Sequence, residues 1–379
     1  MRTALVNGRV LAGEQIISAR AVLLSDGRIE AVTELNDPRC RDAQRIDLQN
    51  LILLPGFIDV QVNGGGGVLF NDDPSVESIR AIGAAHRQFG TTGFLPTLIS
   101  DDLDTIGQAI SAVQASLDAH SSSALGIHIE GPFLNWARRG VHDPKHLRRL
   151  DNGVISLLCS LRGGRTVLTL APEMTTVDMI AQLAAGGILV SAGHSDANYA
   201  QTSAAIEHGV RGFTHLFNAM APLTPREPGI VGAALYDQTT WCGIIVDGHH
   251  VDPVMLKLAL RCKRHDRFML VTDAMPPVGS SAPTFILQGR TIHVVDGVCR
   301  DDNGTLAGTA LDMATAVRNA VSLLGLQLAE AARMASEYPA AFLGLERELG
   351  RIAPGYRADL VLLDDTLHVQ RTWVAGVSS

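Results

Sequence analysis

The stretch RTVLTLAPEMTTVDMIAQLAAGGILVSAGHSDANYAQTSAAIEHGVRGFTHLFN, residues 165–218, reads as strand, helix, strand, helix, strand. RTVLTLAPE (165–173), GILVSAGHS (187–195) and RGFTHLFN (211–218) are short β-rich runs, each with a polar residue towards its carboxyl end: Glu173, His194 and His215. Between them, VDMIAQLAAG and ANYAQTSAAIEHG carry apolar residues at helical spacing. Strands alternating with helices across short connections build a parallel sheet with crossover helices.

The alternation continues in both directions. FIDVQVNG (57–64), TGFLPTLI (92–99), ALGIHIEG (124–131), WCGIIVDG (241–248) and RFMLVTDAM (267–275) bring the strands to eight, with helical stretches such as LDTIGQAISAVQASL and PVMLKLALRCKRH between them. Eight such units over residues 55–350 predict a (β/α)₈ TIM-type barrel. An open doubly wound sheet is the alternative, but no glycine fingerprint opens the first βα turn. TFILQGRTIHVVDGVCRDDNGTLAG (284–308) interrupts the last βα connection with Asp-Gly and Asn-Gly turns, which predicts a hairpin insertion near 280–308. Outside the barrel, residues 1–54 and 351–379 alternate apolar and polar residues around turns, so the two termini together are expected to form one small β-sandwich domain.

The bulk numbers limit the function. The 379 residues carry a net charge of −8, which argues against a nucleic-acid partner, although a few local cations still suffice to hold a phosphate. The cysteines are five and scattered, with no CxxC pair, as expected for free thiols in a reducing cytosol. The N-terminal stretch lacks the pattern of a signal peptide, and no apolar run approaches the ~20 residues of a membrane helix.

Polar residues gather at the carboxyl ends of the expected strands: Asp59 with Gln61 and Asn63, then Glu130, Glu173, His194, His215, Asp247 with His249 and His250, and Asp273. Any one of them could cap a helix. In a barrel, however, those ends form a single rim, where active sites are built. Two imidazoles and two carboxylates on one rim suit a divalent transition metal, zinc above all. Glu130, His194 and His215 are therefore the expected ligands of one ion per chain. Asp273 is the expected base, taking a proton from water and returning it to a leaving nitrogen.

The motifs PGFIDVQVNG, GIHIEGPF (126–133), LAPE (170–173), SAGHS (191–195), THLFNAM (214–220), REPG (226–229), DGHHVDP (247–253) and VTDAM (271–275) run nearly the length of the chain. In this order they resemble the N-acetylglucosamine-6-phosphate deacetylases of the amidohydrolase superfamily. That resemblance implies hydrolysis of the N-acetyl group of a phosphorylated amino sugar by a cytoplasmic homodimer. It also implies a role for His142 in holding the substrate and its oxyanion, and 6-phosphate contacts from Asn218, Ala219, Arg226 and His250, the latter preferred over His249. Arginine suits that task because it is always charged and donates in a fork.

The chain departs from many amidohydrolases at strand one, where Gln61 and Asn63 stand in place of a His-x-His pair, and LAPE offers no lysine to bridge two metals. One ion is expected, with Gln61 and Asn63 lining the pocket or holding water. The Gly64–Gly67 run lacks the Lys-Ser/Thr of a phosphate loop and reads as a tight turn. Two rival functions remain: an amidohydrolase acting on another N-acyl or cyclic amide, and a non-catalytic barrel.

Overall fold

Phe57–Val62 is buried at all six positions, the signature of a strand covered on both faces rather than one edged by solvent. In the computed structural model, which describes residues 2–119 and 123–378, it is the first of eight parallel barrel strands. Met1 and Ser379, the outermost residues of the expected β domain, lie outside the described residues. The barrel strands are β1 (Phe57–Val62), β2 (Thr91–Ile99), β3 (Gly126–Glu130), β4 (Arg165–Leu170), β5 (Leu189–Ala192), β6 (Val210–Phe213), β7 (Trp241–Ile244) and β8 (Phe268–Leu270). Each pairs in parallel with its sequence neighbour. The ring closes just past β8, where Val62 bridges Ala274 and the Asp273 N–H donates to the Gln61 carbonyl at 3.0 Å.

A helix follows each strand: α1 (Val76–Arg87), α2 (Leu103–Asp118), α3 (Asn152–Leu158), α4 (Val177–Ala185), α5 (Tyr199–Glu207), α6 (Gly229–Tyr236), α7 (Pro253–Cys262) and α8 (Met313–Ser322), the last followed by two short helices. Their starts are written locally. Thr176 accepts from the Met179 N–H at the head of α4, and Asn198 with Gln201 forms a reciprocal capping box on α5. α4 then lays its apolar stripe, Ile180 and Leu183, on the barrel. Burying a side chain of that size stabilises by about 1.5–3 kcal/mol.

Both ends of the chain meet in one sheet. Leu360–Leu363 pairs antiparallel with Ile52–Pro55, which in turn lies beside Thr3–Ala12. Leu5, Val10, Val22, Leu53, Leu360 and Trp373 close the small domain's own core. The insertion is a four-stranded antiparallel sheet, Thr284–Leu287, Arg290–Val295, Val298–Asp301 and Leu306–Thr309. The Asp296–Gly297 turn has φ of 51° and 78°, as a two-residue hairpin demands. A further tight turn at Gln288–Gly289 carried no strong sequence signal. Gly64–Gly65 pairs back on Val68–Leu69 in a small turn, as read from sequence.

Candidate active site

Three of the rim residues come together at atomic distance. Glu130 is the last residue of β3, and His194 and His215 each lie two residues beyond β5 and β6. The Nε2 atoms of His194 and His215 stand 3.1 and 3.0 Å from Glu130 Oε1, and 3.0 Å from each other. All three side chains are buried. His194 and His215, like Asp273 beyond β8, have left-handed backbone, with φ of 49°, 31° and 52°. That conformation costs about 1–3 kcal/mol per residue and is held only where the surroundings enforce it. Here it breaks strand alternation and swings each side chain into the barrel mouth.

The donor set fits a divalent ion. His194 Nδ1 lies 2.9 Å from the Arg138 carbonyl, so its proton sits there and the Nε2 lone pair faces Glu130 and His215. Two ring nitrogens and a carboxylate oxygen converging this closely repel unless a cation or shared protons lie among them. Burial pushes the Glu130 carboxyl up, but the two histidines beside it outweigh that and hold the group well below the ordinary range. Asp273 is not among the three groups whose ligand atoms cluster.

Asp273 is held by the two residues that replace the histidine pair. Its Oδ1 accepts from Asn63 Nδ2 at 2.7 Å and from Gln61 Nε2 at 3.1 Å, while Gln61 Nε2 also donates to Glu130 Oε1 at 3.1 Å. With Oδ1 doubly occupied, Oδ2 is the oxygen left to exchange a proton. Burial, and then the Glu130 charge, raise the Asp273 carboxyl to about 6. Gln61 and Asn63, expected to line the pocket, are hydrogen-bonded to Asp273.

A cavity of about 510 Å³ opens above these groups, and His142, Asn218, Ala219 and His250 line it together with the ligands and Asp273. The His142 ring is fixed from behind: Nδ1 accepts from the Ser100 N–H at 3.2 Å and lies 2.7 Å from Ser100 Oγ. A backbone N–H can only donate, so the ring proton is on Nε2. Burial foremost, and the neighbouring His194, depress this imidazole to about 3 and keep it neutral. His250 Nδ1 donates to Asp247 Oδ2 at 2.6 Å, and Asp247 Oδ1 accepts the N–H of both His249 and His250. The pair therefore sits in a turn rather than in alternating strand, with His249 exposed and His250 turned inward.

Two rim residues do other work or stand apart. Glu173 does not line the cavity; it accepts from Ser195 Oγ (2.7 Å), Asn135 Nδ2 (2.9 Å) and the Asp196 N–H (2.6 Å), bracing the turn that carries His194. Arg226 is exposed, away from the cavity and without a hydrogen-bond or ion-pair partner among the described residues. Sequence reasoning missed Ser100, although it closes β2 on the same rim. It noted Asp247 without giving it a task, and Arg138 acts only through its backbone carbonyl, which no side-chain pattern reveals.

Comparison with known proteins agrees with this geometry. The amidohydrolase family model matches residues 52–378. The chain is 43% identical over 371 residues to the N-acetylgalactosamine-6-phosphate deacetylase of Shewanella sp. (strain ANA-3), covering 97% of this chain and 93% of the relative. It is 36% identical over 379 residues to the N-acetylglucosamine-6-phosphate deacetylase of Haemophilus influenzae, covering 99% of each. The crystal structure of N-acetylglucosamine-6-phosphate deacetylase from Pasteurella multocida superposes over 100% of both chains with a TM-score of 0.96 and 37% identity. With its barrel, its Glu-His-His cluster and these relatives along its whole length, the chain belongs to the amidohydrolase family, in the deacetylase branch that they represent.

Proposed function

We propose that the protein hydrolyses the N-acetyl group of an N-acetylhexosamine 6-phosphate, N-acetylglucosamine 6-phosphate in the first reading, giving glucosamine 6-phosphate and acetate. One observation carries this: a single cavity is lined by the Glu130–His194–His215 cluster, by Asp273, and by Asn218, Ala219 and His250. One divalent ion per chain on that cluster, zinc above all, supplies Lewis acidity towards the acetyl carbonyl and towards water.

The remaining chemistry belongs to the chain. Asp273 takes the proton of the attacking water at Oδ2 and delivers it to the amide nitrogen as the C–N bond breaks. His142 offers its Nε2–H to the carbonyl oxygen, which gains negative charge as the carbon becomes tetrahedral. Asn218, Ala219 and His250 receive the 6-phosphate, with Asp247 orienting the His250 ring.

Arg226 completes the phosphate site from a second copy in a homodimer. Support for this comes from its guanidinium, which has no partner among the described residues, and from exposed apolar side chains nearby in sequence and on the next two helices: Leu223 (54%), Tyr236 (77%) and Val254 (61%). Closed two-fold symmetry makes such an exchange reciprocal.

The relative at 43% identity acts, by its name, on the galactosamine epimer, which supports a second reading in which that epimer is the preferred substrate. Acetate release from both 6-phosphates and from N-acetylglucosamine decides among them. We expect turnover of a 6-phosphate and a large preference over the unphosphorylated sugar, because buried phosphate contacts left unpaired are costly. The epimer with the higher kcat/KM is the substrate. Release from neither 6-phosphate overturns both readings.

A further inference from the structure

We propose that the hairpin insertion positions His142, and that Gln288 at its first turn is the residue that holds the histidine's backbone and ring in register. This rests on the reading of His142 as the donor to the substrate carbonyl.

Leu287 pairs with Arg290, and the Gln288–Gly289 turn between them has φ of 49° and 80°. The Gln288 side chain is half-buried and uses both ends of its amide. Its Oε1 accepts the N–H of Asp143 at 2.7 Å, the residue after His142. Its Nε2 donates to the carbonyl of Ser100 at 2.8 Å. Ser100 is the residue whose own N–H and hydroxyl hold the His142 ring. One side chain therefore ties together the backbone beside His142 and the group that fixes its tautomer. On the other side, Arg290 Nη2 donates to the Val141 carbonyl at 2.9 Å. The residues before and after His142 are both held by one hairpin.

The far edge of the same small sheet is fastened beside the base. The Thr309 N–H donates to the Asp273 carbonyl at 3.0 Å, and the Met275 N–H donates to the Thr309 carbonyl at 2.9 Å. Gly308 has φ of 61°, and a Cβ there would stand 2.8 Å from the Asp273 carbonyl oxygen, so this approach requires glycine. The insertion thus spans from the base to the oxyanion donor and sets their separation. It is a structural reference for two groups that the barrel itself places in different strand-to-helix connections.

The test compares Gln288→Ala, Gln288→Glu, His142→Ala and the double variant His142→Ala/Gln288→Ala in the metal-loaded full-length protein. Gln288→Ala should lower kcat roughly 10- to 10²-fold, the scale for a misplaced reacting group, with KM and metal content unchanged. Gln288→Glu keeps the acceptor for Asp143 but loses the donor to Ser100, and should also lower kcat. Ile286→Thr, an exposed change on the same hairpin, should keep wild-type kcat. In the His142→Ala background, removing Gln288 should cause no further loss, because the two act as one unit. Multiplicative losses, or unchanged kcat in Gln288→Ala, overturn the inference. A crystal structure of Gln288→Ala provides a readout independent of turnover: the His142 ring should part from Ser100, and a ring left in place overturns the inference. Wild-type kcat in His142→Ala would instead refute the role given to His142, and the crystal structure would still decide whether Gln288 positions it.

Discussion

Gln61 donates its side-chain N–H to Asp273 Oδ1 across 3.1 Å, from the same nitrogen that donates to Glu130 Oε1. One amide thus stands between the Glu130 and Asp273 carboxylates. In Gln61→Leu the two negative groups face each other without it, and the Glu130 charge already raises Asp273. The base must be ionised to act, so the acid limb of the kcat–pH profile should move to higher pH. Asp273→Asn should lower kcat by roughly 10²–10⁴ while retaining the metal. An unmoved limb in Gln61→Leu would remove the amide bridge from the account.

Metal analysis tests the strand-one departure. Strand one offers Gln61 and Asn63 rather than a pair of histidines, and both amides are spent on Asp273. Elemental analysis after gentle dialysis should give about one divalent ion per chain. Glu130→Ala should lose both the ion and activity. Two equivalents that resist removal would contradict the single site.

Subunit mixing tests the placement of Arg226. Arg226→Ala should harm the 6-phosphate far more than the unphosphorylated sugar. Mixed with Asp273→Asn under conditions of subunit exchange, it should form hybrid dimers with one intact site, and activity should exceed that of either parent. With hybrids confirmed by differently tagged chains, absence of rescue would place the arginine's action within its own chain.

Asp59 gives the fold a pH dependence of known sign. It is fully buried beneath the rim, where Thr272 Oγ1 donates to Oδ2 at 2.5 Å, and burial raises its carboxyl to about 7 from 3.8. The folded state therefore holds a proton that the unfolded chain releases. This favours folding below the unfolded value and is lost as pH rises through the window from 3.8 to about 7. At roughly 1.4 kcal/mol per unit, the loss approaches about 4 kcal/mol. Asp59→Asn should escape it, so urea titrations should show its stability gaining on the wild type across that window and then running parallel. Parallel curves throughout would sink the assignment.

The barrel was legible because its strands are apolar runs, most of them ending in a polar residue, a pattern that survives without any knowledge of pairing. The clustering of Glu130, His194 and His215, with Asp273 in the same cavity, was legible for the same reason: side-chain type marks them out. Glu173 shared the pattern but not the role, because hydrogen bonding to a neighbouring turn looks identical in sequence to a seat at the cavity. Arg138 and Ser100 act wholly or partly through backbone groups, which every residue has. Gln288 lay hidden because Gln-Gly is a weak turn signal and its contacts are 145 and 188 residues away.

The pairing of Leu360–Leu363 with Ile52–Pro55 also has a meaning for synthesis. About 300 residues separate the two strands, so at roughly 5–20 residues per second the earlier one waits some 15–60 s on the ribosome for its partner. During that interval its four residues, all buried in the finished protein, present an open edge of the kind that invites aggregation. The barrel can close around β1–β8 meanwhile, while the small domain is the last part to be sealed. Chaperone demand should therefore fall on the N-terminal strands of the nascent chain, long after they have left the exit tunnel.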